Sequence, residues 1–183
     1  MGKVYVFLAD GFEEIEGLTV VDILRRAGID TVTVSISNKK EVTGSHKIEL
    51  KADALFDEVN KEEAVMYVLP GGMPGTNYLA AHDGLRELLT EAEADGKKVA
   101  AICAAPSVLG GLGLLKGKKA ICYPGFEEKL TGAEVTMAPV VEDDFVTTSR
   151  GMGTAIPFAL ALVAQLKDRK TADELAKAII WSC

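Results

Sequence analysis

Chemistry in this chain centres on Cys103, in Val99-Ala-Ala-Ile-Cys-Ala-Ala-Pro-Ser-Val-Leu-Gly110. Lys98–Ile102 is short and apolar, follows the turn signal Asp95-Gly96, and reads as a buried parallel strand. Ala104, Ala105, Val108, Leu109 and Leu112 then recur at helical spacing, with Pro106 in the first turn, where a missing N–H costs nothing. Cys103 therefore falls on a strand-to-helix turn, the place a nucleophile elbow occupies in other α/β enzymes. The free N–H groups and dipole of a helix there would lower the thiol pKa. A small apolar residue closing a core strand would leave the same pattern.

Glu16 is the second such residue. On a helical projection it lies among Val20, Ile23 and Ala27, an apolar face on which a carboxylate is out of place, while Glu13 and Glu14 offer exposed alternatives. A carboxyl buried there has a raised pKa, and when neutral it can donate a hydrogen bond to a thiolate or act as general acid and base. An acid favoured by the helix dipole is the plainer reading. Gly71-Gly72, after the apolar run Ala64–Leu69, allows close backbone approach and N–H donors. With the N–H of Ala104, these donors could form an oxyanion hole.

The chain has two histidines. His46 sits at a predicted hairpin tip and could reach over the site from the same chain or from a dimer partner. His82 adjoins Asp83 at a predicted helix start. No pair of His or Cys has metal-ligand spacing, so no zinc site is expected. Cys122 reads as core, Cys183 as an exposed end, and Glu142-Asp143-Asp144 as a solvated turn. Arg150 is an anion contact or an exposed charge.

The elements that must position these residues alternate. Lys3–Ala9 reads as strand and Glu13–Ala27 as a helix closed by Gly28. Thr31–Ser37 follows as strand, and Glu41–Leu50 as a hairpin around Thr43-Gly-Ser-His46. After Ala64–Leu69 comes a helix, firmest over Gly84–Ala94 with Asp83 as N-cap. Lys119–Tyr123 is the strand after the Cys103 unit, Glu134–Met137 and Phe145–Ser149 look like a strand pair, and Thr154–Leu166 and Ala172–Ile180 are helices. The pattern predicts one α/β domain around a mainly parallel sheet. Loops after Ala9, Leu69, Ile102 and Cys122 would gather at the carboxyl edge, where such sheets bind ligands.

The composition agrees with a globular chain: 183 residues, 48% apolar, 26% charged. A net charge of −7 without a basic cluster disfavours nucleic acid. No apolar run approaches the roughly 20 residues of a membrane span. The N-terminal run ends in Asp10-Gly11 without a cleavage pattern, so it is expected to be a strand rather than a signal peptide. Three cysteines without framework spacing argue for free thiols and a cytoplasmic setting.

Leu8-Ala-Asp-Gly-Phe-Glu-Glu-Ile-Glu16, Val21-Asp-Ile-Leu-Arg-Arg-Ala-Gly28, Leu69-Pro-Gly-Gly72, Ala101-Ile-Cys-Ala-Ala-Pro106 and Thr148-Ser-Arg-Gly-Met-Gly-Thr154 stand in order through nearly the whole chain. Together they resemble the ThiJ/PfpI superfamily and, within it, the DJ-one subgroup. The resemblance implies a flavodoxin-like three-layer sandwich, a homodimer and no cofactor. It makes Cys103 the oxidation-sensitive nucleophile, Glu16 the protonated glutamate bonded to its sulfur, and Gly72 and Ala104 the backbone donors. Gly71, Tyr123 and His46 are candidate substrate contacts from their places in the predicted loops. It implies glutathione-independent glyoxalase activity on α-oxoaldehydes such as methylglyoxal, or repair of their glycation adducts. The alternative it implies is a redox-responsive stress sensor or chaperone using the same cysteine.

Three departures shape that expectation. Tyr123-Pro124 stands where members with this activity often carry His-Pro, and a phenol, with its ordinary pKa near 10, carries protons poorly at neutral pH. Ala104 replaces the His of the protease-like branch. No His-x-Glu follows His82, which argues against a glutamine amidotransferase.

Overall fold

The structure, a computed structural model, describes residues 2–181. In chain order the elements are β1 (Lys3–Leu8), α1 (Glu14–Arg26), β2 (Thr31–Ser35), β3 (Glu41–Thr43), β4 (Glu49–Lys51), β5 (Ala54–Leu55), β6 (Ala64–Leu69), α2 (Gly75–Ala81) and α3 (Asp83–Glu91). Then follow β7 (Lys98–Ile102), α4 (Pro106–Gly111), β8 (Lys119–Ala120), β9 (Glu134–Val135), β10 (Val140–Asp143), β11 (Val146–Ser149), α5 (Ala155–Leu166) and α6 (Arg169–Ala178).

Seven strands form the central sheet in the order β10-β11-β7-β6-β1-β2-β5, parallel except for the β10–β11 pair. Alternation along each strand divides the core in two. Val4, Val6 and Leu8 of β1 face one way, with Met66, Val68, Ala100 and Ile102, and are covered by α1, α5 and α6. Tyr5, Phe7, Tyr67, Leu69, Val99 and Ala101 face the other way, against Leu79, Leu85, Leu89, Val108 and Leu109 of α2, α3 and α4. This is the flavodoxin-like three-layer sandwich, with β3 and β4 as the small hairpin.

Several elements differ from expectation. Only Lys119–Ala120 of the run to Tyr123 is strand, and it pairs with β9 in a separate two-stranded sheet. β9 therefore does not pair with β11. The partner is β10, which absorbs Glu142 and Asp143 into a strand and leaves only Asp144, at φ 55°, in the turn. Charged residues on an edge strand read like a loop, because one flank of the strand is solvated. The helical stretch after β6 is two helices, and the cap of α3 is His82, whose Nδ1 accepts the Leu85 N–H at 3.0 Å, rather than Asp83. Cys183 lies outside the described residues.

A candidate active site at the carboxyl edge

β6, β7 and β1 end side by side, and the loops that follow them meet. Cys103 sits directly after β7 at φ 66°, a left-handed conformation that costs a non-glycine residue of order 1 kcal/mol or more. Two backbone bonds impose it: the Cys103 N–H donates to Ser149 O at 3.0 Å, and Tyr123 N–H donates to Cys103 O at 2.8 Å. The turn is thus a strained elbow that lifts the half-buried thiol off the strand end.

Glu16 comes to the same point from the first turn of α1 and is 1% exposed. Its Oε2 accepts the Gly71 N–H at 2.9 Å, and Oε1 is buried without an N–H or O–H partner. Cys103 and this carboxyl lie against the same side of Gly71, and each shifts the other's ionisation. Gly71 has no room for a side chain, since a Cβ would stand 2.6 Å from Cys103 Cβ and 2.7 Å from Glu16 Oε2. Its carbonyl accepts the Glu13 N–H at 2.9 Å, so both its polar backbone groups are engaged in building the site, which leaves it no N–H for a substrate. Gly72, at φ 91° and packed against the Glu13 backbone, turns its amide to the Cys103 sulfur, as does Ala104.

The electrostatics differ from the expectation of an activated thiolate beside a helix. Burial pushes Glu16 up to about 7, helped by the charge of Glu13 and opposed by the hydrogen bonds from Cys103 and Gly71. Burial, then the Glu16 carboxylate, also pushes the Cys103 thiol up, to about 12, against the pull of the Ala104 and Gly72 amides. α4 has six residues and starts beyond Ala105, too short a dipole to reverse this. The two groups titrate as a coupled pair: both carry protons below about pH 7, and above it they hold one proton between them. With Glu16 charged, the sulfur is a thiol donating to it. With the proton on the otherwise unpartnered Oε1, the repulsion vanishes and the two amides face a thiolate.

Of the remaining candidates, Tyr123 joins the site and His46 does not. Tyr123 is half-exposed and packs on Gly151, whose Cβ would meet its ring at 3.3 Å. His46 instead pairs with Glu14: its N–H donates to Glu14 Oε1 at 2.7 Å and its Nδ1 lies 2.9 Å from Oε2. The hairpin tip thereby buries Glu14, which was expected to be exposed, to 4%. Burial works against that charge, yet the bonds from His46 and from backbone groups outweigh it and hold the carboxyl at about 2. Donor atoms of Glu13, Glu14 and His46 lie within 4.8 Å of one another, the one convergence of metal-ligating side chains among the described residues. Those donors are already spent on each other and on Ser45. Cys122 is core on the face opposite Cys103, its thiol pushed up to about 11 by burial and by Glu127.

Sequence reasoning missed the Gly71–Glu16 bond and the burial of Glu14. The glycine pair signalled the first. The second depends on a hairpin 31–32 residues away and had no local signal.

A sheet of this order with a cysteine elbow and a buried glutamate at its carboxyl edge defines a class, and residues 2–165 match the model of the DJ-1/PfpI family. The chain belongs to that family. It is 38% identical over 97% of its length to DJ-1 homolog B of Arabidopsis thaliana, although it spans only 41% of that relative's length and 46% of homolog A's. A deglycase of Pyrococcus abyssi is 30% identical over 90% of this chain and 99% of its own length. The oxidized form of Toxoplasma gondii DJ-1 superimposes with a TM-score of 0.95, at 35% identity and full coverage of both chains.

Proposed function

We propose that the chain is a cysteine-dependent enzyme acting on reactive α-oxoaldehydes such as methylglyoxal, or on their glycation adducts. The observation that carries this is the buried Glu16 carboxyl, fixed through Oε2 by Gly71 beside the Cys103 elbow, with Oε1 left unpartnered. The deglycase name of the Pyrococcus relative supports the substrate class.

The thiol proton passes to Glu16 as sulfur attacks the aldehyde carbon. The C–S bond forms, the carbonyl π pair moves to oxygen between the Gly72 and Ala104 amides, and Glu16 returns the proton to that oxygen, giving a hemithioacetal. Glu16 as carboxylate then removes the proton on the sulfur-bearing carbon. Its return to the neighbouring carbon, with the hydroxyl proton of the sulfur-bearing carbon passing to the neighbouring oxygen, converts the hemithioacetal to a thioester of lactate. Water cleaves the C–S bond, releasing lactate and the thiol, so no external oxidant or reductant is consumed. We assign substrate orientation to Tyr123, whose N–H holds the Cys103 carbonyl. Isotope-labelled methylglyoxal tests the first step: a hemithioacetal carbon resonance on the protein, lost in Cys103→Ser, is expected. Its absence with reduced protein would overturn the proposal.

A second reading, redox sensing, is favoured by the placement of Cys122, the other cysteine among the described residues. Cys122 packs on the opposite side of the sheet, so oxidised Cys103 would proceed along the sulfenic–sulfinic ladder rather than form that disulfide. Mild peroxide followed by mass spectrometry weighs it: oxidation of Cys122 ahead of Cys103 would remove this reading. For the homodimer, the exposed apolar face of Ile15, Leu18 and Ile48, on α1 and the adjoining hairpin, is the surface we assign. No helix among the described residues is long and apolar enough to cross a membrane.

A further inference from the structure

A second crevice opens on the carboxyl edge, beyond β1 from the Cys103 loop. β1 and β2 are parallel neighbours, and the Ile36 N–H donates to Leu8 O at 3.0 Å, so the segments leaving both strands lie side by side. The C-terminal end of α2 closes over them. A cavity of about 380 Å³ is lined there by Ala9, Asp10, Ile36, Ser37, Tyr78 and His82. An adjoining one of about 280 Å³ shares Ile36, Ser37 and His82 and continues to Phe56 and Asp57. This is the scale of small-molecule sites, roughly 300–1,000 Å³.

The walls have a definite chemistry. His82 Nδ1 is committed to capping α3, which fixes the neutral tautomer and leaves Nε2–H as the ring's donor. Its ring rests on Phe56, with centroids 4.4 Å apart. Tyr78, half-exposed on α2, supplies a second aromatic surface. Asp10 uses Oδ1 to accept the Thr43 N–H at 2.9 Å and keeps Oδ2 as an acceptor. Asp57 lies at the far end. Aromatic surfaces favour a planar ring, the imidazole N–H asks for an acceptor on it, and Asp10 asks for a donor. Two carboxylates reject an anion.

We propose that this crevice is a binding site for a neutral or cationic planar nitrogen heterocycle of nucleobase or nucleoside size, separate from the Cys103 chemistry. The test is an NMR titration of the full chain with adenine, adenosine and adenosine monophosphate. Saturable shifts confined to the amides around Ile36, Ser37, Tyr78 and His82 are expected for adenine or adenosine, with the anionic monophosphate binding several-fold more weakly. Tyr78→Ala should weaken adenosine by about tenfold, the worth of one stacked base, while leaving Cys103 alkylation unchanged. Asp10→Asn keeps an acceptor for Thr43 and should narrow the gap between adenosine and its monophosphate. No saturable shift with adenine or adenosine, shifts centred on Cys103, or indifference to Tyr78→Ala would each overturn the proposal.

Discussion

Glu16 Oε2 and the Gly71 amide stand 2.9 Å apart, and this bond ties the first turn of α1 to the end of β6 beneath the Cys103 elbow. It fixes one carboxylate oxygen and leaves the other buried beside the elbow without a hydrogen-bond partner. That asymmetry makes a buried acid useful here, where it would otherwise only weaken the fold.

Cys103 reactivity should therefore follow Glu16. Below about pH 7 both groups carry protons, and above it the carboxylate can take the thiol proton. The rate of alkylation by iodoacetamide should rise through an inflection near pH 7. Glu16→Gln should abolish that inflection and slow turnover by about 100-fold or more. An unchanged profile in the variant would contradict the pairing.

The same carboxyl has a stability signature. Its folded pKa is raised above the unfolded value, so its contribution is complete below about pH 4.5 and is lost as pH rises through about 7. The loss has a ceiling of about 3 kcal/mol for a shift of this size. Urea denaturation should show Glu16→Gln gaining on the natural chain between pH 5 and 8.

Glu14 should behave in the opposite sense. Its folded pKa is depressed, so its stabilisation is present above about pH 4.5 and fades as pH falls toward 2. Glu14→Gln should cost about 2 kcal/mol at pH 7, because the part-buried bonds from the His46 N–H and the Ser45 hydroxyl lose a charged acceptor. The cost should shrink steadily in acid, measured by the same denaturation series.

Gly71→Ala should damage the site more than its size suggests. The added methyl would stand 2.6 Å from Cys103 Cβ and 2.9 Å from Ile102 O, neither of which can retreat without moving the elbow. Overpacking of this kind costs about 1–3 kcal/mol, and displacement of Glu16 should remove most activity. A folded, fully active variant would show that the close packing is unnecessary.

The elbow itself is measurable. Cys103→Gly should be more stable than Cys103→Ala by about 1 kcal/mol, because glycine adopts φ 66° without the Cβ penalty. Equal thermal stabilities would mean that the turn relaxes once the thiol is gone.

What the sequence disclosed follows the range of the forces involved. β6 and β7 were legible to the residue, since buried parallel strands are written as continuous apolar runs. Glu16 was legible because a helix has a fixed period, and an acid among Val20 and Ile23 breaks it. After α4, β11 was legible, but the extent and pairing of its neighbours were not: β8 and β9 are two residues each, and β10 carries acids on a solvated edge. Nor could the thiol's raised pKa be read from an elbow motif, because it depends on how deeply the fold buries two groups brought together from 87 positions apart.

The most direct measurement is lactate formation from methylglyoxal without glutathione, with the natural chain beside Cys103→Ser and Glu16→Ala. Turnover by the natural chain, lost in both variants while both remain folded, is the predicted result. No turnover by the natural chain with Cys103 shown to be reduced, or turnover that survives either substitution, would contradict the account.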